Sequence, residues 1–439
     1  MLRCAIVGQV IVACVLAFAC APAWAQWEIR VWHAMSGTQG VEFDSLVERF
    51  NAAQQDYRVV SAYKGSYAET LAALLDTRRR GSRSVPPHVV QIHETGTAEI
   101  LARRGLTMPL WQILQDADEK LEGYLPPVEA PFTDADGRLL ALPISAATPV
   151  LYYNRDALRA AKLEPPKTWY EMPAVLAALS KAGYGCPYTT AFPSWVLLEN
   201  MSAWHDQRFA TQRNGMGGAD ARLAFNSRLM VRWISMLSTW REAGYFVYWG
   251  RGDEAEARFA ADHCAMLTSS SASYAALRAR AKFDLGVAQL PYYDDFDDAP
   301  QNTLAATAGL WVLAGKPPVE YLGVARFFAF LAQPGVQAEW TQKTGELPLT
   351  YAAYELMRKQ GFYAANPGQE IAVQQVLAKL PTWDSRGIRL GQFPRIRGII
   401  NEELEQVWGG KKSALDALNA AVARGNVLLE ELEKTESGK

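Results

Sequence analysis

The segment Thr268-Ser269-Ser270-Ser271-Ala272-Ser273 concentrates hydroxyl groups between an apolar run, Cys264-Ala265-Met266-Leu267, and a helical stretch from Tyr274 to Ala281. A strand-to-helix loop of this kind offers hydroxyls and backbone N–H groups at a helix start, which suits an anion. It suits a plain helix cap equally well, and the residues alone leave both readings open. Glu94 and Glu346 are carboxylates that would serve a glycosidase if they stood at the right separation. Sequence does not give that separation, so a secreted glycoside or phosphodiester hydrolase remains the alternative from another class. No nucleophile elbow, phosphate-binding P-loop, HExxH pair or dinucleotide fingerprint occurs, so the expectation is a protein that is not an enzyme. The five histidines, His33, His88, His93, His205 and His263, show no paired ligand spacing. Neither a metal nor a cofactor is expected.

Elements that would position these groups follow from periodicity. Trp27 to Trp32 alternates apolar and charged residues, the pattern of a half-buried strand. Ser36 to Gly40 reads as a loop, and Phe43, Leu46, Val47 and Phe50 then recur at helical spacing. Tyr57 to Val60 predicts a second strand, 68–80 a helix, and His88 to Ile92 a buried strand. Strand, loop, helix in succession implies a mainly parallel sheet flanked by helices. Ligands of such sheets lie beyond the carboxyl ends of the strands. Three loops fall there: Ala34 to Gly40, Tyr63 to Tyr67 and His93 to Thr97. Further on, Leu139 to Pro149 and Gln301 to Thr307 look like crossings between lobes. Val150 to Asn154 and Ala308 to Leu313 read as strands, and Thr168 is placed to cap a helix. Near the end, Leu415, Leu418, Val422 and Leu429 mark one helix face behind a Ser413 cap.

At 439 residues the chain is too long for one compact core, so two lobes are expected. Its net charge of -2 gives no basic surplus for nucleic acid. The 14 Trp, 18 Tyr and 16 Phe could build a sugar-facing cleft, although most must be core. The first 25 residues combine Arg3, an apolar run from Ile6 to Ala21 and the small-x-small motif Ala23-Trp24-Ala25, the pattern of a cleaved secretory signal peptide. Removal of that leader leaves Cys186 and Cys264, either a disulfide in an oxidising compartment or two buried thiols.

The ordered landmarks Tyr63-Lys64-Gly65-Ser66-Tyr67, Leu151-Tyr152-Tyr153-Asn154, Pro166-Lys167-Thr168-Trp169, Asp262 to Met266 and Leu310-Trp311-Val312 resemble extracellular solute-binding proteins of carbohydrate-type ABC importers. Asp298 to Asn302, Gln360-Gly361-Phe362-Tyr363 and Val407 to Lys412 are similar to the glycerol-phosphate-binding branch of that family. The likeness spans essentially the whole mature chain. It implies an α/β fold of two lobes joined by hinge crossings, with the ligand in the cleft. The expected boundaries are 1–25 for the leader, 26–146 with 302–345 for the N-terminal lobe, and 147–301 with 346–439 for the C-terminal lobe. The resemblance further implies a periplasmic monomer that captures sn-glycerol 3-phosphate or a glycerophosphodiester by closure. Its partners would be that small molecule and the importer's membrane subunits. A neutral sugar or polyol is the alternative ligand.

Carried over residue by residue, the resemblance implies ligand-binding roles for Tyr67, Glu94, Ser270 and Arg397, which match the family in type. Four positions depart from it: Ala147 stands for a Ser, Phe192 for a stacking Trp, Thr307 for a Gly and Glu346 for a Tyr. Arg397 can meet a phosphate with a planar fork and keeps its charge at working pH. Ala147 removes a hydroxyl, and Phe192 keeps a ring face without an indole donor. Glu346 would repel a phosphate unless it pairs with Arg397, faces away or meets a cationic group such as a choline-like head.

Overall fold

A computed structural model describes residues 26–77, 85–121 and 123–436. The leader expected over 1–25 and the end of the helix expected to reach Arg80 lie outside the described residues.

Alternation along Trp27–His33 puts Ile29, Val31 and His33 on a buried face, forming strand β1. It pairs in parallel with β2 (Tyr57–Tyr63) and β3 (Val89–His93). Beside β3 runs β10 (Ala306–Leu313), antiparallel to it and to β4 (Thr107–Met108) and β5 (Leu142–Ala147). The second sheet has the order β7-β8-β6-β9: Tyr188–Thr190, Met266–Ser270, Pro149–Asn154 and Leu285–Ala288. Only β7 and β8 pair in parallel there, while β6 is antiparallel to both its neighbours. The two α/β lobes are as expected, but the sheets are mixed rather than mainly parallel. The physical reason is the crossings, which bring β6 and β10 in from the opposite lobe and so reverse their direction.

Three local expectations change. Ser36 to Gly40 is not a loop but the entry to the helix Gly37–Ala53. Gly40 is there because a Cβ would lie 2.8 Å from the Met35 carbonyl oxygen, so the glycine marks close approach rather than a turn. Leu139 to Pro149 contains β5 and the start of β6, with Thr148 alone between the two strands. Leu415 is exposed, while Leu418 and Leu429 are buried on the helix Ala414–Glu436. Thr168 caps a turn, accepting from Glu171 N at 3.3 Å, just ahead of the helix Met172–Lys181. On the first helix, buried Phe43, Leu46, Val47 and Phe50 face the first sheet, each contributing roughly 1.5–3 kcal/mol.

The lobes meet at a buried polar knot. Thr148 Oγ1 lies 2.7 Å from Thr303 Oγ1 and 2.9 Å from the Leu304 carbonyl oxygen. Gln375 donates to the Pro149 carbonyl at 2.6 Å and to Thr303 Oγ1 at 3.1 Å, and accepts from Leu290 N at 2.7 Å. A third passage is tied in where Leu347 N donates to the Ala146 carbonyl at 2.9 Å. Buried polar groups need such partners, and these pairs hold three chain crossings in register beside the apolar cluster that Ala146 and Val150 share.

Cys186 and Cys264 form a disulfide, with Cα atoms 4.5 Å apart and 78 residues between them in sequence. It fastens the approaches to β7 and β8 at the ends remote from Ser270. Replacing both cysteines with Ser should therefore lower unfolding free energy by about 2–5 kcal/mol in denaturant titrations. Ligand affinity should stay unchanged in calorimetry.

Candidate functional site

The strand ends converge. His93 at the end of β3 pairs with Ala308 of β10, and Ala147 at the end of β5 pairs with Ala306. Ser270, the last residue of β8, pairs with Pro149 at the start of β6. The two sheets thus present facing edges on either side of Thr148, and a cavity of about 430 Å³ lies between them.

Tyr67, Ala147, Phe192, Ser270, Thr307, Glu346 and Arg397 all line this cavity. Glu94 stands directly behind it. Its Oε2 accepts from Thr307 N at 2.8 Å and from His93 Nε2 at 3.0 Å, and its Oε1 lies 3.5 Å from Arg397 Nη2. Burial, reinforced by Arg397, pushes the His93 imidazole down to about 3, so the ring is neutral. Its Nδ1 accepts from Thr95 N, which leaves the proton on Nε2 for Glu94. Burial also raises Glu94 to about 7, although Arg397 and the Thr307 N–H pull the other way.

Arg397 is placed by a local distortion. Phe192 adopts φ 48°, a conformation costly for a bulky side chain. The chain then enters a π-helix over Ser194–Glu199. This wide turn brings Ser194 Oγ to 3.1 Å from Glu199 Oε1, five residues on. Buried Glu199 takes a forked pair from Arg397, Nε at 2.8 Å and Nη2 at 2.7 Å. Burial works against the charge of Arg397, but Glu199 and Glu94 outweigh it and hold its pKa above the usual value. The fork expected for a ligand is therefore spent on Glu199. What remains for the cavity is Nη1, which has no hydrogen-bond partner among the described residues.

The Ser-rich loop divides its hydroxyls. Ser269 and Ser273 both donate to Glu256 at 2.6 Å, and Ser271 Oγ accepts from Thr148 N at the hinge. Ser270 caps the short turn behind it, accepting from Ala272 N at 3.3 Å, and also lines the cavity. The cap reading of that loop holds at Ser270. Thr307 brings a buried Oγ1 that finds no partner among the described residues. Glu346 is held by Gln39 and by Trp340 Nε1, the latter at 3.2 Å, and burial raises it to about 8. It does not pair with Arg397. The Tyr67 ring lies 4.8 Å from that of His93, tilted by 47°, and burial, with Glu346 and then Glu94, holds its phenol well above its usual range.

Residues 45–370 match the bacterial extracellular solute-binding protein family. The chain belongs to that family. Over 433 residues it is 46% identical to the sn-glycerol-3-phosphate-binding periplasmic protein UgpB of Yersinia enterocolitica, covering 97% of this chain and 98% of that one. It is 45% identical over 412 residues to the protein of the same name from Salmonella typhimurium, covering 92% and 93%. Among solved structures, UgpB from Mycobacterium tuberculosis in complex with glycerophosphocholine superposes with a TM-score of 0.74 at 21% identity, covering 92% of this chain and 98% of that chain. The cyclic alpha-maltosyl-1,6-maltose binding protein from Arthrobacter globiformis gives 0.72 at 21% identity, with 92% and 100% covered. These structural likenesses establish the two-lobed fold of this solute-binding protein.

Several cavity residues escaped sequence reasoning: Ser145, Trp195, Arg251 and Asn401, with Ser194 and His93. Ser145 had a signal. It lies two residues before Ala147 on one strand face, so its hydroxyl, bonded to Tyr67, stands near where Ala147 lacks one. Asn401 had one too, being four residues beyond Arg397 on the helix Phe393–Trp408. Arg251 had none, since it lies in irregular chain and is placed by its fork to Glu405.

Glu199→Gln leaves the Arg397 charge largely buried with half its partner lost, so stability should fall by about 3 kcal/mol in urea unfolding. Glu94 and Glu346 bind protons more tightly folded, at about 7 and about 8, than their ordinary value of 4.5. Their contribution is present below pH 4.5 and is lost as pH rises through 7 and 8. The melting temperature of the unliganded protein should decline across that window, and Glu346→Gln should flatten its upper part.

Proposed function

We propose that this chain is the periplasmic, non-enzymatic binding component of an ATP-driven importer, capturing sn-glycerol 3-phosphate or a glycerophosphodiester between its lobes. The lobes are assigned to 26–146 with 302–345 and to 147–301 with 346–439, following a secretory leader over 1–25. One observation carries the ligand class. Arg397 is fixed by Glu199, has an uncommitted Nη1 and lines a cavity where the Thr307 hydroxyl also lacks a partner. A fixed guanidinium and an unpaired hydroxyl bordering one cleft suit a phosphate carrying a polyol. The names of the relatives, which bind sn-glycerol 3-phosphate, support the same class.

Capture follows from the two-sided site. Tyr67 and Thr307 come from one lobe and Phe192, Ser270 and Arg397 from the other, with Glu346 at the last crossing and bonded to Gln39. A ligand touching both walls favours the closed arrangement by its differential affinity for it. The closed monomer then docks on the importer's membrane subunits.

Calorimetry with glycerol 3-phosphate, glycerophosphocholine, glycerol and maltose tests this reading. A phosphate-bearing ligand should bind and be recovered intact. Arg397→Lys keeps a charge beside Glu199 but loses the planar donor, so affinity should fall about tenfold. Binding of maltose alone would transfer the protein to neutral sugars, and turnover of a diester would make it a hydrolase.

A further inference from the structure

Glu346 is a buried carboxyl group with no cation beside it among the described residues. It follows the helix Pro334–Thr344 and is only 6% exposed. Gln39 donates to its Oε1 and Trp340 Nε1 to its Oε2. The Ala146 backbone N–H reaches the carboxyl group as well; since each carboxylate oxygen can accept two hydrogen bonds, one acceptor position stays open, and the side chain borders the cavity. The titratable groups around it are phenols: Tyr67 in front, with Tyr152, Tyr274 and Tyr363 about the small void behind. Glu94 lies beyond Tyr67. Lys343, three residues earlier, turns instead to Glu42 and Glu339, at 2.9 and 2.7 Å. An anion buried in this way is costly unless a partner arrives, and burial holds the group mostly protonated at neutral pH, near 8.

The facing wall carries the opposite charge. Arg397 and Arg251 both border the cavity there, each forked to its own glutamate, Glu199 or Glu405. Phe192 and Trp195 stand on this same wall, with ring centroids 6.3 Å apart. The cavity is therefore polarised, with guanidinium groups at one end and a carboxyl group at the other.

We infer that the preferred ligand is a zwitterionic glycerophosphodiester with a primary ammonium head, its phosphate at Arg397 and its ammonium N–H groups on Glu346. This deepens the glycerol-phosphate reading and rests on it. A quaternary head has no N–H to place on the open acceptor position. It is best met by several aromatic faces, and here Tyr67, with the His93 ring 4.8 Å from it, adjoins Glu346, while Phe192 and Trp195 come from the Arg397 side. A primary ammonium fills that position with an N–H, and its charge replaces the proton that Glu346 gives up.

Calorimetry at pH 7 with glycerophosphoethanolamine, glycerophosphocholine and glycerol 3-phosphate tests the inference, in two buffers of different ionisation enthalpy. The ethanolamine ester should bind at least tenfold more tightly than the choline ester. Its binding should release close to one proton per site. In Glu346→Gln both the preference and the proton release should vanish. The wild-type comparison stands even if that variant folds poorly. Equal or stronger choline-ester binding, or an ethanolamine affinity untouched by Glu346→Gln, overturns the ammonium assignment and leaves the glycerol-phosphate reading standing. Failure of all three ligands to bind overturns both.

Discussion

A guanidinium can be held inside a protein only where an anion and hydrogen-bond acceptors meet it. In this protein that role falls to Glu199, and much of the site follows from it. The forked pair fixes the plane of Arg397, so one edge of the guanidinium is committed and the other is aimed. To put Glu199 there, the chain winds into a π-helix directly after the strained Phe192, and both features would be defects in a purely structural segment. The same distortion delivers Phe192, Ser194 and Trp195 to the cavity wall. One ion pair thus sets this half of the cleft.

The opposite half is anchored differently. Glu94 joins the end of β3 to the start of β10 through the Thr307 N–H, and its other oxygen faces Arg397 across the gap. It is therefore a support for the cleft edge and the point where the two walls communicate. The hinge lies within a few residues of all this. Thr148 separates Ala147 from Pro149, and its N–H bonds to Ser271, next to Ser270. Motion at the crossings must change the spacing between Ser270 and Ala147, because both neighbour the pivot. Ligand contact and lobe movement are coupled by chain proximity, without any long relay.

Much of this arrangement was legible in the residues. Period-two alternation in Trp27–His33 and helical spacing of Phe43, Leu46, Val47 and Phe50 located the first sheet and its cover. The rule that ligands gather at carboxyl ends of strands picked out the loops that supply Gln39, Tyr67 and His93. Strand direction was less legible, because a crossing reverses β10 and β6 without altering their local pattern. Gly37 and Gly40 read as a loop, since composition does not distinguish a turn glycine from one that admits a close backbone contact. Seven of the eight residues expected at the site do line the cavity, while Glu94 supports it from behind. What the residues could not reveal was commitment: nothing in the sequence shows that the Arg397 fork is already taken, or that Ser269 and Ser273 serve Glu256. Such facts depend on which distant side chain is nearest, and no local periodicity carries them.

The departures from the family pattern make more sense together than singly. Ala147 loses a hydroxyl, but Ser145 supplies one from the same strand face and bonds Tyr67. Thr307 adds a hydroxyl where backbone approach alone was expected, and that hydroxyl is unpartnered. Glu346 adds a carboxyl group held by Gln39 and Trp340, so it is supported rather than accidental. Glu94 and Glu346 are both buried at an energetic cost that grows with pH, which means the empty cleft is the less stable form of the site. A bound ligand that satisfies these groups recovers part of that cost and stabilises the native state by mass action. The strain is thereby placed where a ligand relieves it, and the free energy of relief is available to hold the lobes together.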